Sequence, residues 1–164
     1  MSEGRSRRWW VWITALVVMV VAVGITVACT RPRDSRAYPN DSGDMPLKQG
    51  LKLFAIVMPD CPTQDLRYAL VGSWGGHDLY LSFSASSECM QSFVKLNDMR
   101  DGGEVSAPGV EFQASTDLKQ VGWRFAADRK YHRYDANRTG GRPFEVIIDT
   151  TLDLQVVYLF GFPV

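Results

Sequence analysis

The chain has 164 residues, 46% of them hydrophobic and 22% charged, with a formal net charge of zero, three cysteines and two histidines. That balance excludes both a disordered polymer and a chain made only of membrane spans. The charge is uneven: residues 1–50 hold seven Lys/Arg and four Asp/Glu, leaving eleven against fourteen, about −3, for the remainder. This is a poor complement to nucleic acid.

In chain order, residues 1–8 form a basic n-region containing Arg5, Arg7 and Arg8, and residues 9–28 form an uncharged apolar run, WWVWITALVVMVVAVGITVA. As a helix, such a run spans roughly 30 Å, the thickness of a bilayer's hydrocarbon core. Three fates are open to it. Its length favours an uncleaved signal anchor, since cleavable signals carry shorter apolar cores. Thr26-Val27-Ala28-Cys29 resembles the lipobox of bacterial lipoproteins, in which the cysteine is lipidated, although that motif prefers a bulky aliphatic residue where Thr26 stands. Ordinary cleavage is the third, and Ser6-Arg7-Arg8 resembles a twin-arginine export signal. Arg31, Arg33 and Arg36 flank the other side of the run, so charge alone does not orient it. Its place at the extreme N-terminus puts the rest of the chain outside the cytoplasm.

Residues 29–50 are polar, with Pro32, Pro39, Gly43 and Pro46, and read as a flexible linker. Residues 51–164 then form one extracytoplasmic domain. Its first strand is expected over 51–58, LKLFAIVM. Residues 65–73 and 78–84 alternate around Trp74-Gly75-Gly76-His77 and predict a hairpin. In the second run Leu79, Leu81 and Phe83 share one face and Asp78, Tyr80 and Ser82 the other, the pattern of a half-buried strand.

Residues 84–98 change to helical spacing through Cys89, Phe93 and Leu96. Ser86 or Ser87 caps this principal helix, Glu88 sits in its first turn, and it stops near Asp98. Val110, Phe112 and Ala114 alternate, as do Val121, Trp123 and Phe125. Runs at 131–135, 144–149 and 154–160 follow, joined by polar turns at 128–130 and 137–141. The fold class is therefore α+β, with a mostly antiparallel sheet and one principal helix. The last run is too apolar for an exposed edge and belongs inside the sheet.

Cys61 and Cys89 are expected to form a disulfide, which suits an exported domain; Cys29 is the lipidation candidate. A zinc site would need Cys61, Cys89, His77 and His132 together, but they lack the short local ligand spacing, and no metal or cofactor is implied. The chain carries no Walker glycine loop, GxSxG elbow, HExxH or dinucleotide fingerprint. His77 beside Asp78, with Ser73 or Ser82 as nucleophile, is the catalytic candidate. Arg124, Arg129, Lys130, Arg133, Arg138 and Arg142, interleaved with aromatics, are candidates for a surface facing an anionic polymer or an envelope protein. With its arginine-rich composition, the N-terminal segment resembles those of small exported proteins and lipoproteins of actinomycete bacteria. That resemblance implies export and no particular activity. Two readings follow: a membrane-tethered accessory or binding domain, or a small hydrolase-like envelope enzyme around His77.

Overall fold

The computed structural model describes residues 12–13, 16–19, 34–73, 75–106, 121–136 and 141–162. It divides into two compact units, Met1–Asp34 and Ser35–Val164. In the first, residues 12–13 and 16–19 are helical and exposed; among the described residues no helix is long and apolar enough to cross a membrane. The rest of the apolar run, Cys29, the expected strand through Val110, Phe112 and Ala114, Trp74, and residues 137–140 of the second turn lie outside the described residues.

The second unit is a six-stranded, wholly antiparallel sheet with two helices, an α+β fold. In chain order its elements are α1 (Leu47–Leu53), β1 (Gln64–Ser73), β2 (Gly76–Ser86), α2 (Ser87–Leu96), β3 (Arg100–Val105), β4 (Tyr131–Ala136), β5 (Phe144–Asp149) and β6 (Leu154–Gly161). The sheet order is β1-β2-β6-β5-β4-β3. Strands β3 to β6 form a meander, the β1–β2 hairpin adds to its β6 side, and α2 carries the chain across. As expected from its apolar sequence, β6 lies inside the sheet, between β2 and β5.

Helix α2 matches its sequence pattern closely. The Ser86 side chain accepts a hydrogen bond from the Cys89 amide, which caps the helix, and Cys89, Met90 and Phe93 bury one face. Phe93 meets Phe83 of β2 edge-on, with ring centroids 5.2 Å apart.

Five expectations are corrected. The first strand, 51–58, does not form: Leu47–Leu53 is helical, and residues 56–58 run on without strand pairing. Leu47, Leu51 and Phe54 recur at helical spacing behind Pro46 and point this segment at the sheet. The linker, 29–50, is structured from Ser35 onward. Tyr38 and Tyr68 exchange main-chain bonds with this segment and β1, Tyr38 N–H donating to Tyr68 O (2.7 Å) and Tyr68 N–H to Arg36 O (3.1 Å). Residues 35–42 thereby strap the β1 edge, which would otherwise stand open. Val121, Trp123 and Phe125 alternate but make no strand. Gly122 turns the backbone to φ +69° and the aromatic rings pack against the sheet instead. That cover makes the fourth correction: β2 is buried on both faces, Tyr80 and Ser82 included. Strand β3, whose RDGGEV sequence reads as loop, pairs with β4 with a bulge between Asp101 and Gly103.

The sheet therefore separates two cores. Under the helices lie Phe54, Leu70, Leu79, Leu81, Phe83, Phe93, Val146, Ile148, Val157 and Leu159. On the other face, Val121 and Trp123 pack with Ala69, Tyr80, Tyr131, Ile147 and Phe160.

Asn97, fully buried at the end of α2, holds residues 54–58 in place. Its Oδ1 accepts from the Val57 amide (2.9 Å) and its Nδ2 donates to the carbonyls of Val57 and Phe93 (2.8 Å each). Asn97→Ala leaves both Val57 main-chain groups without their partner. It is expected to lower stability by about 2–3 kcal/mol in urea denaturation.

Candidate functional site

The covered face of the sheet carries a groove of about 510 Å³. Strand alternation and register place Arg67 of β1 opposite Ser82 of β2, and Ser82 opposite Tyr158 of β6, so the three stand in one cross-strand row. Ser84 and Val156 form the next row. The strap contributes Tyr38, and the segment crossing the sheet contributes Trp123, Arg124 and Arg129.

Hydrogen bonds lock the groove's aromatic wall. Trp123 Nε1–H donates to the Tyr38 hydroxyl (2.9 Å), which bonds in turn to Ser82 Oγ (2.7 Å). The Trp123 and Tyr158 rings meet edge-on at 5.3 Å, and Phe125 packs on Tyr158 at 5.0 Å. Burial, with the Asp149 charge behind it, raises the Tyr158 phenol above its ordinary pKa, so it stays protonated and able to donate.

Three arginines line this groove, in three different states. Arg67 is exposed and donates from Nη1 to the Ser35 carbonyl (3.1 Å), joining β1 to the start of the strap. Arg124 is exposed and, among the described residues, has no ion pair. Arg129 pairs at 2.7 Å with Asp149, whose side chain is only 2% exposed. Burial alone would raise the Asp149 carboxyl; Arg129 and the Thr151 amide outweigh it and hold the group below the usual carboxylate range. Among the described residues, Asp65 is the one acidic residue lining the groove. The lining therefore has a positive excess and neutral hydroxyl donors, a composition suited to oxyanions.

The six basic residues expected to share a surface are divided. Arg124 and Arg129 line the groove. Lys130 is exposed just before β4. Arg133 is engaged by Asp135 and Glu145. Arg142 lies over the Phe54 ring, 6.0 Å from its centroid, and against Gly76, where a Cβ would strike its guanidinium. Arg138 lies outside the described residues. Arg67, 57 positions before Arg124 and within an ordinary strand pattern, gave no sequence signal of its own.

The His77 candidate is corrected as to partner. Its Nε2 bonds Asp44, between the strap and α1, at 3.0 Å, while Asp78 points to the opposite face of β2 by alternation. Ser42 Oγ donates to the other oxygen of the same carboxylate. The Ser42 and His77 bonds hold Asp44 below its ordinary pKa. The order is thus Ser–Asp–His, with the carboxylate between hydroxyl and imidazole, so His77 is not placed to take the serine proton. Ser82 is on the groove side, engaged by Tyr38.

His132, which lines a cleft of about 370 Å³ between α2 and strands β4 and β5, is the other imidazole held by a carboxylate. Its Nε2 is 2.6 Å from Asp101 Oδ1, and its ring packs on Tyr134 at 4.8 Å. Neither histidine has a hydroxyl or thiol bonded to it among the described residues. Cys61 and Cys89 form a disulfide with Cα atoms 5.9 Å apart, joining the loop before β1 to the first turn of α2. Comparison with protein-family models, with curated proteins and with solved structures finds no match, so the groove is interpreted from its own geometry and charge.

Proposed function

We propose that this protein is a membrane-tethered, extracytoplasmic accessory or binding domain whose groove takes an anionic ligand. The observation that carries the reading is that Arg67, Arg124 and Arg129 line one groove with, among the described residues, a single lining carboxylate. The tether is supported by the uncharged 20-residue run and by its exposed helical residues, with Leu16, Val18 and Met19 at 67%, 62% and 70% exposure. Apolar side chains so placed suit lipid better than water. The disulfide suits an oxidising compartment.

Inorganic tripolyphosphate is a suitable polyanionic probe, titrated calorimetrically at low and moderate salt. Wild-type protein is expected to bind it with an affinity that falls as salt rises. Arg67→Ala with Arg124→Ala is expected to lower affinity at least tenfold, while Arg129 is left in place because it neutralises Asp149. His77→Ala is expected to change nothing. Equal binding by wild type and the double-arginine variant would remove the groove from consideration.

A further inference from the structure

We infer that the groove's ligand is the phosphate of anionic lipid headgroups in the membrane that anchors the chain, so that the domain docks on its own bilayer. The inference rests on the tethered, anion-binding reading above and adds the identity of the partner.

Three observations lead there. The groove lies where the chain enters the domain: Arg67 bonds the carbonyl of Ser35, the first residue of the folded unit, and Tyr38 of the same strap forms its wall. Between the end of the apolar run and Ser35 stand only residues 29–34. Fully extended, six residues reach about 20 Å, and this limit holds whether the anchor is the apolar helix or a lipid on Cys29. A short connection of this kind leaves a groove beside the point of entry within reach of the headgroups, at a high effective concentration.

The charge is complementary as well. Arg31 and Arg33 stand in the connecting residues and Arg36 in the strap, so the segment that leads to the groove is itself basic in sequence. Basic residues next to an anchor are attracted to anionic leaflets within about a Debye length. The hydroxyls of Ser84 and Tyr158 add the neutral donors that a phosphodiester's unesterified oxygens accept from. Asp34, Asp41 and Asp65 oppose this attraction, but against Arg31, Arg33, Arg36, Arg67 and Arg124 they leave a positive excess.

The test uses the full chain in nanodiscs of phosphatidylcholine alone or with one quarter phosphatidylglycerol, read by amide hydrogen exchange. The expected result is slower exchange over residues 65–69 and 121–129 in the anionic discs only. Arg67→Glu with Arg124→Glu should abolish that protection at equal incorporation. Lys48→Glu with Lys52→Glu, the same change of charge on the exposed side of α1, should keep it. Protection that is absent, independent of lipid charge, or lost equally in both charge-reversed variants overturns the inference. Lipid-independent exchange in a protein whose groove still binds tripolyphosphate overturns membrane docking and leaves the anion-binding groove standing.

Discussion

Phe54→Ala is expected to destabilise the folded unit by about 3–5 kcal/mol, the usual cost of emptying a large aromatic site. Phe54 follows α1 and is fully buried. Its ring fills the space over Gly161 of β6, where a Cβ would come within about 2.5 Å of the ring carbons, and the Arg142 guanidinium lies above it. One side chain thus joins α1, the end of β6 and the approach to β5. Little nearby can collapse into the space, because Gly161 has no side chain and Gly141 already packs against the Phe54 carbonyl. The check is a urea denaturation curve, with a thermal midpoint lower by about 10 °C or more. Gly161→Ala probes the same contact from the sheet and should cost about 1–3 kcal/mol by overpacking. Since the added methyl would occupy space that the shortened residue vacates, the double variant should lose less than the sum of the two. Strict additivity would show that Phe54 does not lie on Gly161.

Removal of the Cys61–Cys89 disulfide is the second large effect. The bridge closes a loop with a sequence separation of 28. In the chain-entropy description, opening such a loop costs roughly 3–4 kcal/mol. The bridge also connects the loop before β1 to a residue of α2 that is 3% exposed, so it constrains the segment leading from α1 into the edge strand. Cys61→Ala with Cys89→Ala should lower the urea midpoint by the corresponding amount and make it insensitive to reductant, whereas the wild-type midpoint should fall on reduction. Alkylation of protein from its native membrane adds a topological result. The thiols of Cys61 and Cys89 are expected to react only after reduction, and reaction of either beforehand would contradict an extracytoplasmic location.

The two sites differ in how visible they were. The disulfide could be read in advance because two cysteines outside the signal region leave one pairing. His77 also stood out, but as a neighbour of Asp78, and neighbours on a strand face opposite ways; its actual partner, Asp44, comes from residues that look like a tether. Arg124 and Arg129 are legible in the sequence as basic residues among aromatics. Arg67 joined them only through the pairing of β1 with β2, and Arg142 left them because Phe54 and Gly76 give its guanidinium a place on the other side of the sheet.

Short-range chemistry in the sequence determined the β1–β2 hairpin, α2 with its Ser86 cap, strands β4, β5 and β6, and the disulfide. In each the signal is a period, a cap or a pairing that needs no distant partner to be recognised. Tertiary structure alone decided the rest. The segment Leu47–Leu53 became a helix because its apolar spacing could be satisfied against the sheet. The Gly-containing β3 became a strand because β4 offered an edge, and residues 35–42 were ordered because β1 offered another. Val121, Trp123 and Phe125 kept their alternation but buried their rings on a finished sheet instead of joining it. The groove belongs with these. Its residues come from the strap, three strands and a crossing segment, and only long-range hydrogen bonding and ring packing bring them to one place.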